Sequence, residues 1–195
     1  MSASYAAIKV EIADHIATVT LDNPKQRNPF TAEFKQDMLT LCRDMQARDD
    51  IDVMIITGRD GVFSAGGDLR SLNNMDGRTT TGDRRRIYQI HEWFQTLLNL
   101  EMPVIAAVEG MCVGGGFELA LSCDMILATK VSSFALPEIR AGTLADAATI
   151  KLPKRVPYHV AMDMLLTGRW MDCAEAHRWG LVNEMMADGP ALYDR

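Results

Sequence analysis

Cysteine is scarce in this sequence, and its four residues are scattered. Cys42, Cys112, Cys123 and Cys173 form no CxxC pair, and no histidine stands near them at the spacing of a zinc site. The pattern therefore indicates neither a disulfide framework nor a metal site. We expect buried thiols in a reducing compartment and no bound metal.

Long apolar runs are missing as well. No stretch approaches the roughly 20 residues that a membrane-spanning helix needs. Met1 to Val10 lacks the charged region followed by an apolar stretch that is typical of a secretory signal. We therefore expect a cytoplasmic protein that makes no membrane contact.

An excess of positive charge is also absent, since the 195 residues carry a net charge of −6. Nucleic-acid binding depends on many lysines and arginines at phosphates, so we expect no nucleic-acid partner. A local basic cluster could still hold a small anion. With 48% apolar and 24% charged residues, and with no repeat or linker, residues 1–195 are predicted to form a single domain with a core of its own.

Short apolar strands alternate with amphipathic helices along the chain. This alternation predicts an α/β protein with a largely parallel sheet. The predicted strands are a hairpin over 8–21, buried runs over 52–57, 104–108 and 125–128, and a closing strand over 181–185. The predicted helices cover about 31–48, 83–100, 117–121, 158–166 and 173–179.

Two glycine-rich loops each follow a predicted strand. The first is Phe63–Leu69, and the second, Val113–Leu119, leads into a helix. Backbone N–H groups at such a place can hold a developing oxyanion, and one donor from each loop would complete an oxyanion hole. A tight turn is the alternative for either loop alone. Neither loop matches a phosphate-binding pattern, and Ser64 lacks the GxSxG surroundings of a nucleophile.

A third segment, Ser133–Ile139, places a carboxylate directly after a proline. On its own, Glu138 would be interpreted as a surface residue or as an acid at a helix N-terminus. The three segments together, in this order, resemble the crotonase (enoyl-CoA hydratase/isomerase) superfamily. Further matching stretches are Met102–Gly110, Gly114–Asp124, Leu165–Arg169, Glu175-Ala176 and Trp179–Asn183, so the resemblance covers nearly the whole chain.

The resemblance implies a crotonase-like spiral of ββα units that binds an acyl-coenzyme A thioester. It implies that the N–H groups of Gly67 and Gly115 form the oxyanion hole. It also implies two catalytic glutamates, with Glu118 mainly activating water and Glu138 mainly delivering a proton to Cα. Hydration needs both a base and an acid, so the presence of both glutamates favours a hydratase over an isomerase.

Residues near the family's substrate and nucleotide site are also carried over by the resemblance. Lys25, Arg27 and Arg70 match positions near the coenzyme A phosphates, although solvated surface charge is the alternative for each. The remaining expected contacts are Ala65, Gly66, Asp68, Leu69, Gly114 and Pro137. We expect no separate cofactor, because coenzyme A is part of the substrate.

Two features depart from the family pattern. Residues 142–149 have far less glycine than the loop that lines the acyl site in family hydratases, which leaves the acyl specificity open. The chain also stops at Arg195, so we expect a processed or truncated form in which the C-terminal helical trimerisation region is largely absent. A full-length chain would form a homotrimer or a dimer of trimers.

The sequence therefore predicts a lyase that hydrates a trans-2-enoyl-CoA in fatty acid metabolism. Crotonobetainyl-CoA (carnitinyl-CoA) hydratase is the first alternative, because Phe134–Glu138 and Leu152–Lys154 resemble those enzymes. An enoyl-CoA isomerase is the second alternative. A non-catalytic scaffold that binds coenzyme A is the alternative from another class.

Overall fold

The computed structural model describes residues 5–68 and 79–194, with Arg86 described by its backbone alone. The strands are β1 (Ile8–Ala13), β2 (Ile16–Leu21), β3 (Pro29–Phe30), β4 (Val53–Thr57), β5 (Val62–Ser64), β6 (Gly66–Gly67), β7 (Val104–Val108), β8 (Met111–Val113), β9 (Met125–Thr129), β10 (Ser133–Ala135), β11 (Trp170–Asp172) and β12 (Glu184–Met186). The helices are α1 (Ala32–Gln46), α2 (Thr80–Leu98), α3 (Gly115–Ser122), α4 (Asp146–Lys151), α5 (Tyr158–Thr167), α6 (Cys173–Arg178) and α7 (Gly189–Tyr193). Short 3-10 turns cover Pro24–Gln26, Pro137–Ala141 and Leu152–Lys154.

Two larger sheets and a short pair of β3 with β6 organise the described residues, and the two larger sheets confirm the predicted spiral of ββα units. The larger sheet has the order β1-β2-β4-β7-β9-β12, and the smaller one has the order β11-β10-β8-β5. The strand pairs β4-β5, β7-β8 and β9-β10 each contribute their first strand to the larger sheet and their second to the smaller. Helices α2, α3 and α4 follow these pairs. The strands of successive units pair in parallel, as expected for an α/β protein.

The N-terminal hairpin forms as its alternating pattern predicts. β1 and β2 pair antiparallel, and Ala17, Val19 and Leu21 of β2 face the core. The turn residues Asp14 and His15 both have positive φ, 49° and 64°, which is the geometry of the tight hairpin turn that matches strand twist.

Helix α1 shows how local signals position the core. The side chain of Thr31 accepts the N–H of Phe34 and caps the helix N-terminus. Phe34, Met38, Leu41 and Met45 fall on one helix face, and all four are buried, as the spacing predicts. This face packs beside α2, where Trp93 is fully buried.

Several predicted segments differ from the structure, and three of these differences have a local physical reason. Helix α3 begins at Gly115 rather than Phe117, because its first turn is built from glycines that propensity alone excludes from helices. The predicted loop over 142–149 contains helix α4 from Asp146, an alanine-rich segment. The closing strand covers Glu184–Met186, because Asn183 instead binds Ile126 through both its backbone N–H and its side-chain oxygen.

The four cysteines are free and buried, as predicted. Within residues 5–68 and 79–194, no group of three metal-ligating side chains is close enough together to hold an ion. No helix in this part of the chain combines the length and the apolar character needed to cross a membrane.

Candidate active site

Asn28 anchors the first glycine loop from a buried position. Its side-chain amide donates to the carbonyl oxygens of Val62 and Phe63 at 3.0 and 2.9 Å. Its own carbonyl accepts the Ser64 hydroxyl at 2.6 Å, and that hydroxyl accepts the N–H of Gly66 at 3.0 Å. Ser64 is therefore a fully buried structural link, which agrees with its exclusion as a nucleophile.

The two glycine loops touch at Gly66 and the start of α3. Gly66 has a φ of +76°, and a Cβ on it would lie 2.4 Å from the backbone nitrogen of Gly115. Only glycine permits so close an approach of two backbones. The contact places Gly67 in the segment that packs on Gly115, whose N–H has no acceptor within its own helix. The two predicted oxyanion-hole donors thus lie in touching segments.

Gly114 brings the second loop against a carboxylate. Its backbone, with φ 55° and ψ −126°, lies outside the regions that side chains favour. A Cβ at this position would lie 2.7 Å from Oε1 of Glu138. The absence of a side chain here lets the carboxylate of Glu138 lie directly against the backbone of the second glycine loop.

Glu118 lies on the first turn of α3 and is only 7% exposed. Its Oε1 accepts the N–H of Ala148, in the first turn of α4, at 3.0 Å. Burial raises the pKa of Glu118 to about 7. The Ala148 N–H opposes this increase, while the nearby carboxylates of Glu138 and Asp146 add to it. Glu118 can therefore exchange a proton near neutral pH.

Glu138 lies on the 3-10 turn Pro137–Ala141, and its side chain is partly buried. Burial raises its pKa as well. Its Oε2 is buried and has no hydrogen-bond partner within the described part of the chain. A buried polar atom without a partner is costly, so this oxygen is suited to meet a water or a reacting group.

The arrangement combines two carboxyl groups with raised pKa values and nearby backbone N–H donors. One carboxyl, on Glu118, is held by a backbone amide, and the other, on Glu138, has an oxygen with no partner among the described residues. A positioned acid and base beside an oxyanion hole can add or remove a proton next to a carbonyl.

A cleft of about 400 Å³ also lies in the structure, but it contains none of these residues. It is lined in part by Ile51, Asp52, Met102 and Pro103, which directly precede strands β4 and β7. The glycine loops instead follow strands, so the cleft opens at a different edge of the fold from the candidate site.

The sequence profile of the Enoyl-CoA hydratase/isomerase family matches residues 11–193. The chain belongs to this family. A putative enoyl-CoA hydratase of Thermus thermophilus is 33% identical over 91% of this chain and 70% of its own length. A carnitinyl-CoA dehydratase of Citrobacter koseri is 38% identical over 92% of this chain and 67% of its own length.

Solved structures show the same crotonase fold. An enoyl-CoA hydratase from Bacillus anthracis superposes with a TM-score of 0.89 at 27% identity, covering 97% of this chain and 73% of that one. Pseudomonas aeruginosa DspI superposes with a TM-score of 0.91 at 30% identity, covering 100% and 80%. The fold class predicted from sequence is confirmed.

Two of the basic residues that the family resemblance assigns to coenzyme A lie beside the first glycine loop. Lys25 is part of a 3-10 turn, and the carbonyl of Arg27 accepts the N–H of Ala65 at 2.8 Å. Both basic side chains are exposed, and neither forms an ion pair with another described residue. They are available to an anionic ligand near Gly66, and a contact with one remains a prediction.

The other residues assigned by the family resemblance divide between described and undescribed parts of the chain. Pro137 begins the turn that carries Glu138, and Asp68 is partly buried just after Gly67. Leu69 and Arg70 lie outside the described residues.

Sequence reasoning missed two residues that build the candidate site. Asn28 directly precedes Pro29 in the sequence, a pair that indicates a break in the chain rather than a site residue, although its φ of +48° fits an asparagine in the left-handed region. Ala148 acts through its backbone N–H, which no side-chain pattern reveals. The Asn28-Pro29 pair was the one signal in the sequence, because the burial of Asn28 becomes visible only in the structure.

Proposed function

We propose that this chain is an enoyl-CoA hydratase, which adds water across the α,β double bond of a trans-2-enoyl-CoA thioester. Membership of the Enoyl-CoA hydratase/isomerase family supports an acyl-CoA substrate. The observation that carries the finer proposal is the pairing of a buried carboxyl group, on Glu118, with a partly buried one, on Glu138, since the pKa values of both are raised. Moving a double bond needs one such group, whereas hydration uses two.

In the proposed reaction, ionised Glu118 takes a proton from water as the water oxygen bonds to Cβ. The π electrons move toward the thioester, whose oxygen becomes enolate-like and is held by the N–H groups of Gly67 and Gly115. The enolate then collapses, and Cα takes the proton of Glu138. The product is a 3-hydroxyacyl-CoA, and the proton now on Glu118 returns to Glu138 through solvent. Each oxyanion donor supplies about 3–4 kcal/mol.

The different surroundings of the two carboxyl groups support this division of roles. The amide of Ala148 donates to Glu118, and such a bond favours the ionised form. Burial raises the pKa of Glu138 too, and its Oε2 has no partner among the described residues, so this oxygen is free to hold the proton that we propose it delivers.

The proposed substrate brings its own coenzyme A, and the reaction needs no further cofactor. Lys25 and Arg27, with Arg70, are proposed to meet its phosphates. A homotrimer or dimer of trimers is the proposed assembly, and fatty acid metabolism is the proposed setting.

The test is a steady-state assay of crotonyl-CoA hydration, followed by loss of the enone absorbance. Wild type is compared with Glu118→Gln, Glu138→Gln and the surface variant Glu92→Gln, with folding checked by circular dichroism. We expect each catalytic variant to lose at least about 10²-fold in kcat, because proton transfer contributes that much. Glu92→Gln should retain wild-type activity.

A folded wild-type protein without turnover of any enoyl-CoA would contradict the proposal and favour a scaffold that binds coenzyme A. Undiminished activity of Glu138→Gln would contradict the role given to that residue. Conversion of 3-enoyl-CoA without net water addition would instead identify an isomerase.

A second candidate is hydration of crotonobetainyl-CoA. It is favoured by the 38% identity to the carnitinyl-CoA dehydratase of Citrobacter koseri, which exceeds the 33% to the putative hydratase of Thermus thermophilus. Turnover of crotonobetainyl-CoA but not of crotonyl-CoA would establish it.

A further inference from the structure

Helix α4 holds the carboxylate of Glu118 but has few local features that stabilise its own start. It has six residues, and the residue at its N-cap, Ala145, provides no side-chain hydrogen bond. Two large apolar side chains have few contacts here: Leu144, just before the helix, is 77% exposed, and Ile150, within the helix, is 65% exposed. Short helices without a cap are marginal by themselves. The position of the Ala148 N–H therefore depends on contacts that α4 makes with other elements.

One such contact joins the first residue of α4 to helix α2. Nε2 of His91 lies 2.6 Å from Oδ2 of Asp146, across 55 residues of sequence. Both side chains are about half exposed, so the pair adds little to global stability. Its place matters more than its strength, because Asp146 lies two residues before the amide that binds Glu118.

We propose that His91 is a positioning residue for Glu118, because its bond to Asp146 fixes the first turn of α4 and with it the Ala148 N–H that holds the catalytic carboxylate. This inference rests on the proposed hydratase function for its kinetic consequence. Its structural part concerns the free protein and can be tested without substrate.

The bond between His91 and Asp146 also fixes the position of the Asp146 carboxylate. The carboxylate of Asp146 is one of the groups that raise the pKa of Glu118, together with burial and Glu138. A freely moving Asp146 would change both the direction of the Ala148 N–H and the field at Glu118. Loss of the bond should therefore affect the chemical step more than substrate binding.

The experiment compares His91→Ala and His91→Gln with wild type. The glutamine variant keeps an N–H that can donate to Asp146, so it tests rescue. Glu92→Gln is the matched control, because Glu92 is the next residue on α2 and forms a similar exposed ion pair, with Arg43 of α1 at 2.8 Å. Amide hydrogen exchange is measured by NMR on each free protein, and kcat and KM are measured with crotonyl-CoA.

We expect His91→Ala to speed exchange of the Ala148 amide about tenfold while the amides of α1 stay unchanged. We expect kcat to fall about tenfold with KM nearly constant, as for a misplaced catalytic group. His91→Gln should recover most of both losses, and Glu92→Gln should show neither.

Unchanged exchange at Ala148 in His91→Ala would overturn the proposal whatever the kinetics. A uniform increase over all amides would overturn it too, because it would indicate a general loss of stability. If wild type proves inactive on every enoyl-CoA, the proposed function fails, while the exchange data still decide whether His91 positions α4.

Discussion

At the residue scale, the two glutamates of the site differ in what surrounds each carboxyl group. Glu118 is 7% exposed, yet it has a backbone donor, Ala148, at 3.0 Å. Glu138 is partly buried, and its Oε2 has no partner within the described residues. Burial is the largest cause of the raised pKa in both. The same burial that makes these groups useful for proton transfer has a cost in stability.

This cost in stability predicts that the free energy of unfolding depends on pH through the titration of Glu118. Its pKa rises from 4.5 to about 7 on folding, so between these values the folded state binds more protons than the unfolded state. The free energy of unfolding should therefore decrease as pH rises through this window, by on the order of 3 kcal/mol from this group.

Denaturant unfolding of wild type and Glu118→Gln between pH 4 and pH 8 measures the effect. The glutamine keeps an acceptor for the Ala148 N–H but does not titrate. We expect its stability to vary less with pH over the window and to exceed that of wild type at the upper end. If the free energies of unfolding of the two proteins changed in parallel with pH, burial would not raise the pKa of Glu118, and the prediction would be wrong.

At the element scale, the site depends on turns that only particular residues can make. Gly114 joins β8 to α3 with a φ of +55°, and Oε1 of Glu138 occupies the space where its Cβ would be. Gly114→Ala should therefore displace the carboxylate, and a misplacement of about 1 Å can cost about 10²-fold in rate.

Gly180→Ala is the matched control for that substitution. Gly180 also has a positive φ, +77°, but nothing lies within 4 Å of a Cβ placed there. Both variants should lose a similar backbone contribution to stability, measured by thermal unfolding, whereas kcat for enoyl-CoA hydration should fall only in Gly114→Ala. Equal activity of the two variants would contradict the contact between Gly114 and Glu138.

Sequence patterns predicted the elements whose signals are local. Asp14-His15 forms the hairpin turn, Thr31 caps α1 and Asp172 caps α6, as the residue types at these positions favour. Helix α4 was missed because its segment was compared with a glycine-rich loop, although Asp146 and the following alanines favour a helix. A resemblance was thus misleading where the chain departs from its relatives.

At the scale of the whole molecule, the ββα units bring together residues that are far apart in sequence. The hydrogen bonds of Asn28 join residues up to 36 positions apart in sequence, and the bond between His91 and Asp146 spans 55 positions. No local pattern encodes such partners, and none in the sequence marks His91. The resemblance predicted the fold and the two glutamates, but the residues that support them required the structure. The cytoplasmic location and the trimer stay predictions.

The most direct test of the hydratase proposal follows the oxygen atom of the product. Purified protein is incubated with crotonyl-CoA in water carrying heavy oxygen, and the product is analysed by mass spectrometry beside Glu118→Gln. The account predicts a 3-hydroxyacyl-CoA with one heavy oxygen at Cβ for wild type and nearly none for the variant. Equal labelling by both proteins, or binding of crotonyl-CoA without any labelled product, would contradict it.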